Sequence, residues 1–187
     1  MRIISGRFRG RALVAPEGLA TRPTADRARQ GLFDMLEHAR WSPGLRGARV
    51  LDLFAGTGAL GLEALSRGAA SAVFVERAAP ALAAVRRNVA GCRLAPEEAR
   101  VMAGDALRLP APPAGFAPCT VVFADPPYGQ GLGAGALAAL APDWLAPDAV
   151  AVIEEAAAAQ LPVPAGWSQL EDRRFGAARF WILHRDG

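Results

Sequence analysis

Asp125-Pro126-Pro127-Tyr128 sets an acid, a rigid turn and an aromatic ring directly after the apolar run Thr120-Val121-Val122-Phe123-Ala124. A run of that composition reads as a buried strand, and strand ends are where open α/β sheets carry their chemistry. Two successive prolines fix φ twice and withhold two N–H donors, so the carbonyls of Asp125 and Pro126 stand as fixed acceptors beside a carboxylate. Such a corner suits a planar amino group. The nitrogen lone pair of that group is delocalised into its ring, and two acceptors that take both hydrogens draw the nitrogen towards a pyramidal, nucleophilic geometry. Tyr128 is then placed to stack on the ring. The same four residues also make an ordinary turn with a buried tyrosine, and the motif alone leaves both uses open.

A second motif lies earlier in the chain. Arg49-Val50-Leu51-Asp52-Leu53-Phe54 reads as a buried strand that runs into Ala55-Gly56-Thr57-Gly58-Ala59-Leu60-Gly61 and then a helical stretch from Leu62 to Arg67. Glycines at 56, 58 and 61 satisfy G-x-G-x-x-G, in which small residues let the backbone approach a ligand and aim helix N-terminal amides at it. Glu76 ends the next apolar segment, Ala72-Val73-Phe74-Val75, where an acid can take two ribose hydroxyls. These features admit a dinucleotide. Asp52 argues against one, because a carboxylate at the mouth of the turn would meet a pyrophosphate with like charge at short range. S-adenosylmethionine carries an ammonium and a sulfonium and no phosphate, so an acid there favours it.

Asp52 to Gly61 together with Asp125-Pro126-Pro127-Tyr128 resembles the class I S-adenosylmethionine-dependent methyltransferases acting on amino nitrogen. Ile3-Ile4-Ser5-Gly6-Arg7-Phe8-Arg9-Gly10-Arg11 and Arg22-Pro23-Thr24-Ala25-Asp26-Arg27-Ala28-Arg29 narrow the resemblance to the RsmD family, bacterial 16S ribosomal RNA guanine-N2 methyltransferases, over essentially the whole chain. The resemblance implies an α/β, doubly wound, mostly parallel sheet whose last strand is antiparallel. It implies S-adenosylmethionine as cofactor and S-adenosylhomocysteine as product, with Asp52, Gly56, Gly58, Glu76, Asp105 and Ala106 around the cofactor and Asp105 near its adenine amino group. The target guanine would be turned out of its loop and stacked on Tyr128, with Asp125 and the Pro126 carbonyl accepting the N2 hydrogens. No metal is implied. The expected partner is 16S ribosomal RNA in an assembling small subunit, and the protein is expected to act as a cytoplasmic monomer. Two departures from the family pattern are Gln30, where relatives often have Glu, and Gly31, which weakens a helix interior by roughly 1 kcal/mol relative to Ala.

Three rival readings remain at this stage, one of them a binding module without catalysis, which would keep the basic arm and could discard the motif acids, whereas Asp52, Glu76, Asp105 and Asp125 are all present. A nicotinamide or flavin oxidoreductase would use the same glycines and Glu76 but leaves Asp52 and the proline corner without a role. A DNA adenine-N6 methyltransferase shares the corner, yet would need a target-recognition region for which this chain leaves little length.

The elements that must position these residues follow from composition and pattern. With 187 residues, 52% hydrophobic and 21% charged, the chain is expected to form one domain over 1–187, with a basic β-hairpin extension over 1–24. No apolar run reaches membrane-spanning length and the N-terminus lacks a signal-peptide core. Cys92, Cys119, His38 and His184 suggest neither a disulfide framework nor a metal cluster, only structural thiols and surface histidines. Residues 1–29 hold seven arginines against Glu17 and Asp26, a net +5 within a whole-chain +3, which leaves the remainder at −2. That footprint suits phosphate contact by Arg7, Arg9, Arg11, Arg22, Arg27 and Arg29; a solvated arm is the plain alternative. Ile3, Ile4, Phe8, Leu13 and Val14 interleave with the arginines, so one face of the hairpin should dock.

Thr24 is expected to cap a helix over Ala25–Ala39 whose stripe is Ala28, Leu32, Met35 and Leu36. Helix Pro80–Ala90, a strand near Arg100–Ala103 and a loop over Pro110–Pro118 come next, and Ala149–Ile153 gives a fifth strand ended by Glu154-Glu155, read as solvated acids. Trp167–Phe175 and Arg179–His184 pair as a closing hairpin. The glycine-dense Gly129–Gly135 reads as a connector or a mobile substrate loop.

If Arg7, Arg9 and Arg11 neutralise phosphates, replacing all three with Ala should reduce the log–log salt slope of RNA binding by up to about two to three units while leaving cofactor affinity intact. Filter binding across a salt series reads this, and an unchanged slope would favour the solvated arm.

Overall fold

The computed structural model describes residues 1–16 and 23–187, with side chains of the second stretch described from residue 26 onward. Arg22 therefore lies outside the described residues. In chain order the elements are α1 (Pro23–His38), β1 (Arg49–Leu53), α2 (Ala59–Ser66), β2 (Ser71–Glu76), α3 (Ala79–Gly91), β3 (Ala99–Ala103), β4 (Cys119–Ala124), α4 (Leu132–Ala139), β5 (Leu145–Ala156), β6 (Trp167–Phe175) and β7 (Ala178–Arg185). The strands form one seven-stranded sheet in the order β3-β2-β1-β4-β5-β7-β6. β1 to β5 are mutually parallel, and β7 is antiparallel to both β5 and β6. The doubly wound expectation holds, including the reversed last strand.

The strands read as continuous apolar runs because helices cover both faces of the sheet. Alternate residues feed two cores. Val50, Phe74, Val121, Phe123, Val150 and Ile182 face the side covered by α1, α2 and α3, where Leu32, Phe33, Leu36, Leu62, Leu65 and Val85 pack on them. Leu51, Val73, Val122, Ala151, Ile153 and Trp181 face the opposite side, with Leu137 and Trp144. Strand order reverses between β1 and β4, which opens a crevice at their carboxyl ends.

Several local expectations are corrected. α1 already includes Pro23 and Thr24, so Thr24 is not its cap. Gly31 has a packing role: a Cβ there would stand 2.6 Å from the Phe175 ring, so its absence lets β6 close on α1. Gln30 donates to Asp34 at 2.6 Å and accepts from Arg67 at 3.3 Å, serving a surface network. Gly129–Gly135 is not one loop, because Gly131 (φ +63°) starts α4 and a Cβ on Gly133 would meet Ile153 Cγ2 at 2.5 Å. Among the described residues no helix is long and apolar enough to cross a membrane.

The N-terminal arm is docked. A single Arg2–Ala12 bridge and main-chain bonds such as Ile3 N–H to the Arg11 carbonyl hold a narrow hairpin whose tip is a 3₁₀ turn over Gly6–Phe8. Ile3 and Leu13 are buried, whereas Val14 turns its side chain outward. Glu63 on α2, with no exposed surface, accepts the Ile4 and Ser5 N–H groups at 2.7 and 3.0 Å and the Arg67 Nε–H at 2.8 Å. Ser66 Oγ accepts the Phe8 N–H and donates to the Ser5 carbonyl. Only glycine fits at position 6, since a Cβ would lie 1.8 Å from the Ser66 carbonyl oxygen. Nearer the return, Asn88 exchanges two hydrogen bonds with the Val14 backbone and donates to the Thr57 carbonyl in the glycine turn.

Glu63→Ala should cost about 2–4 kcal/mol, because two arm amides lose their acceptor and Arg67, though still paired with Glu37 at 2.8 Å, loses its Nε partner. Glu98→Ala, which removes the exposed partner of Arg7, should cost about 1 kcal/mol or less. Urea melts compare the two, and a Glu63 variant as stable as the Glu98 variant would show that the arm does not depend on this carboxylate.

Candidate active site

The glycine turn is shaped from both sides. Phe54 takes φ +58°, a left-handed conformation uncommon for a bulky residue, and Gly56 and Gly58 follow at +58° and +79°. A Cβ on Gly58 would approach Val85 Cγ2 to 2.8 Å, and one on Gly61 would approach Phe74 Cε1 to 2.4 Å. Those two glycines are therefore required by close packing of α2. Gly56 differs, since the nearest atom to a Cβ built there is 3.9 Å away, and it borders open space.

Asp52 is not open at the mouth of the turn, contrary to expectation. It is 1% exposed, and its Oδ2 accepts the Gly61 N–H of the first turn of α2 at 2.9 Å. Burial pushes its pKa up to about 8, with the Gly61 hydrogen bond opposing and the charge of Glu76 adding. A positive group nearby would relieve this cost, whereas a pyrophosphate would increase it. The acid also engages the helix start that a phosphate would use, which disfavours the dinucleotide reading.

Glu76 clamps the same turn from the next strand. Its Oε2 accepts the Gly56 N–H at 2.9 Å, and Oε1 accepts those of Arg77 and Ala78 at 2.8 and 2.7 Å. A carboxylate offers about four acceptor sites, so capacity for a hydroxyl remains. β2 and β3 pair through Glu76 and Ala103, which puts Asp105 beside Glu76 at the same edge. Asp105 Oδ1 accepts the Leu107 N–H at 3.0 Å across a buried Ala106, and Oδ2 lies 3.9 Å from Arg77 Nη1.

The proline corner meets the glycine turn because Leu53 pairs with Ala124, so Phe54 and Asp125 leave adjacent strands side by side. Asp125 keeps accessible surface in the open cleft, yet the protein around it is dense. Desolvation by the protein packed around its carboxyl, with the charges of Glu154, Asp52 and Glu155, holds its pKa well above the ordinary aspartate range. Pro126 is buried, while Tyr128 is 44% exposed and its hydroxyl donates to Glu154 Oε1 at 2.6 Å. Burial and that hydrogen bond raise the Tyr128 pKa, so the hydroxyl remains a donor.

Glu154 and Glu155 are not a solvated strand end. Glu155 is 3% exposed and accepts the Gly129 N–H at 3.2 Å, so the pair fastens the corner through both Tyr128 and Gly129. The sequence carried the signal that drew attention to Glu76 and Asp125, an acid ending an apolar strand. Asn88, which ties the arm to the glycine turn, had no such signal.

The expected phosphate contacts separate. Arg9 and Arg11 are exposed on the arm, and together with Arg7, Phe8 and Ala12 they line a concavity of about 460 Å³. Arg7 stacks over the Phe8 ring and pairs with Glu98 at 2.5 Å. Because Gly6 contacts Ser66 at the end of α2 and Glu98 precedes β3, the arm tip lies a helix length, roughly 10 Å, from the glycine turn. α1 enters at the opposite, mouth-bearing edge, where Arg27 is exposed. Arg29 is buried, donates from Nη2 to the Arg2 carbonyl at 2.5 Å and pairs with Asp26 at 3.1 Å, so it faces inward and is corrected from a surface contact to a structural one.

Known proteins resemble this chain in sequence and in fold. The family model described as Conserved hypothetical protein 95 matches residues 1–184. Ribosomal RNA small subunit methyltransferase D of Escherichia coli K12 is 37% identical over 188 residues, covering 100% of this chain and 90% of that protein. Its Haemophilus influenzae counterpart is 32% identical over 181 residues, covering 96% and 91%. The solved structure of Escherichia coli yhhF superposes with a TM-score of 0.80 at 37% identity, covering 100% of this chain and 98% of that one. Magnesium protoporphyrin IX methyltransferase from Synechocystis, solved with bound S-adenosylmethionine, shares the fold at a TM-score of 0.64 and 16% identity over 87% and 80% of the two chains. The family model spans nearly all of the chain and the Escherichia coli relative aligns with the whole of it, so the chain belongs to the Conserved hypothetical protein 95 family, which includes the ribosomal RNA small subunit methyltransferases D.

Proposed function

We propose that this chain transfers a methyl group from S-adenosylmethionine to the exocyclic N2 of a guanine in small-subunit ribosomal RNA. The observation that carries the reading is the Leu53–Ala124 pairing, which sets the acid and fixed carbonyls of the proline corner beside an acid-lined glycine turn. The residues fit the cofactor: the buried Asp52 with its raised pKa calls for a cationic neighbour, Gly56 borders open space, and Glu76 retains acceptor capacity. Glu76 would hold the ribose and Asp105 with Ala106 the adenine. Bound there, S-adenosylmethionine supplies an electrophilic methyl carbon on a sulfonium.

Asp125 and the Pro126 carbonyl then accept the two N2 hydrogens, and Tyr128 offers its exposed ring face to the base. Fixing the amine this way orients its lone pair along one line of attack, and the Asp125 charge would stabilise the ammonium formed as the N–C bond closes and the donor's S–C bond breaks, S-adenosylhomocysteine leaving as a neutral thioether and the extra N2 proton passing to Asp125 or water. The spread of exposed arginines supports a large folded RNA as substrate. Arg27 is exposed on α1 and Arg9 on the arm beyond the end of α2, a separation that suits contact with a broad RNA surface, and we take the substrate to be an assembling small subunit met by a cytoplasmic monomer. Mass-spectrometric mapping of ribosomal RNA from cells with and without the protein tests the reading, with one N2-methylguanosine expected to disappear.

Glu76→Ala should weaken S-adenosylmethionine binding by about 1.5–3 kcal/mol, roughly ten- to a hundredfold, measured by calorimetry on the folded variant. Equal affinity would take Glu76 out of the cofactor site.

Asp125→Asn keeps the shape but presents an NH2 to the substrate amine and removes the charge, so single-turnover methylation should fall roughly 10²-fold or more with cofactor affinity little changed. A protonated Asp125 loses an acceptor, so the wild-type rate should decline as pH falls through its raised pKa, and the residual Asn activity should lack that limb. Tyr128→Phe should be mild, whereas Tyr128→Ala should lose about 1–3 kcal/mol of base contact. Equal damage from Tyr128→Phe and Tyr128→Ala would exclude stacking as the role of the ring.

A further inference from the structure

The strand beside the proline corner ends in a residue that the chemistry described so far does not use. Ala124 pairs with Ile153 across β4 and β5, so Asp125 and Glu154 leave adjacent strands in register, about 4.8 Å apart in the hydrogen-bonding direction. Glu154 is the nearby charge that weighs most on Asp125. The Tyr128 hydroxyl fixes Oε1 of Glu154 at 2.6 Å. Among the described residues Oε2 has no hydrogen-bond donor, and Arg29, turned inward from α1, acts on the carboxylate by charge without pairing to it. An acceptor is therefore held at the mouth, one strand over from the amine-binding corner, with one oxygen committed and one free.

Guanine presents two kinds of donor side by side on its Watson–Crick edge, the N2 amine and N1–H. Adenine and 2-aminopurine present a lone pair at N1. If the amine sits between Asp125 and the Pro126 carbonyl, one of its two ring neighbours, N1 or N3, is turned along the sheet edge towards β5, and an acceptor there matches N1–H but opposes the lone pair of N3. We propose that Glu154 selects the base: its free carboxylate oxygen accepts the guanine N1–H, and a purine with a lone pair at N1 is rejected by that same oxygen. This rests on the guanine-N2 reading above and goes beyond it by assigning the discrimination to a residue outside the motif. Bases turned out of a stack are read by hydrogen bonds to this edge. A site built around one donor strongly rejects an analogue lacking it, because its own buried polar group is then unpaired.

The test compares kcat/KM on reconstituted small-subunit particles whose RNA carries either guanine or 2-aminopurine at the position mapped as methylated. 2-Aminopurine retains the N2 amine and lacks N1–H. The wild type should prefer guanine by about 10²-fold or more. Glu154→Gln offers either an oxygen or an NH2 to N1, so the preference should collapse to within about tenfold, while Glu154→Asp keeps the charge and should keep the preference at a lower rate. Comparable wild-type rates on both bases, or the same preference in wild type and Glu154→Gln, would overturn the assignment. A wild-type ratio near one overturns the assignment whatever the variants do, and because 2-aminopurine lacks O6 as well as N1–H, a large ratio is credited to Glu154 by its collapse in Glu154→Gln. Absence of N2-methylguanosine on the guanine particle would instead overturn the functional reading, and this inference with it.

Discussion

Where β4 returns to lie against the free side of β1, Leu53 and Ala124 pair in register, and the geometry of the mouth follows from that row. Parallel pairing puts both strands' carboxyl ends at one edge, and the reversal of strand order leaves that edge uncovered because the two flanking crossovers diverge. The row extends through Ile153 on β5 and Trp181 on β7. A slip of one residue in any pairing would move Asp125 or Glu154 to the other face and bury an acid in the apolar cores. Continuous burial of Leu53, Ala124 and Ile153 holds the register against that slip.

Around this row, acids are buried repeatedly and are stabilised mainly by backbone amides. Asp52 takes Gly61, Glu76 takes Gly56, Arg77 and Ala78, Glu155 takes Gly129, and Glu63 takes Ile4 and Ser5. Hydrogen bonds to an ionised acceptor are stronger than neutral ones, and each fixes a loop that no apolar side chain could hold at a solvent-facing edge. One chemical device thereby shapes the glycine turn, the proline corner and the arm. It also gathers carboxyl groups at the mouth whose ionisation a cationic methyl donor would favour, whereas the exposed positive charge of the arm lies towards the opposite edge.

The arm joins these regions. Glu63 and Ser66 hold its tip to the end of α2, while Asn88 links its return to Thr57 within the glycine turn, and Arg29 connects the Arg2 carbonyl to the surroundings of Glu154. The exposed Arg9 and Arg11 thus sit on a segment packed against both the end of α2 and the glycine turn. Gly6, Gly31, Gly58 and Gly61 permit that density, each at a contact where a methyl group would collide.

Much of the site was legible in sequence because its residues are local signals. Asp125-Pro126-Pro127-Tyr128 and Asp52 to Gly61 each combine an apolar strand with a turn whose backbone only Pro or Gly supplies, and such patterns survive without knowledge of neighbours. The fold class followed from strand–helix alternation and family resemblance. Burial of individual polar residues was not legible, because it depends on which elements pack together. Arg29 stands three, four and seven residues before Leu32, Phe33 and Leu36, on the buried side of α1, but its charge made it read as a surface group like the exposed Arg27, and nothing near Glu154-Glu155 reveals that the corner from another strand will cover them. The glycines of 129–135 looked like a loop by composition until Ile153 supplied a surface for helix α4 to pack on. Sequence determined which groups could do chemistry and at which strand ends. Tertiary structure decided which charges stay in water and which are held by amides, because desolvation and hydrogen bonding are properties of a position in space.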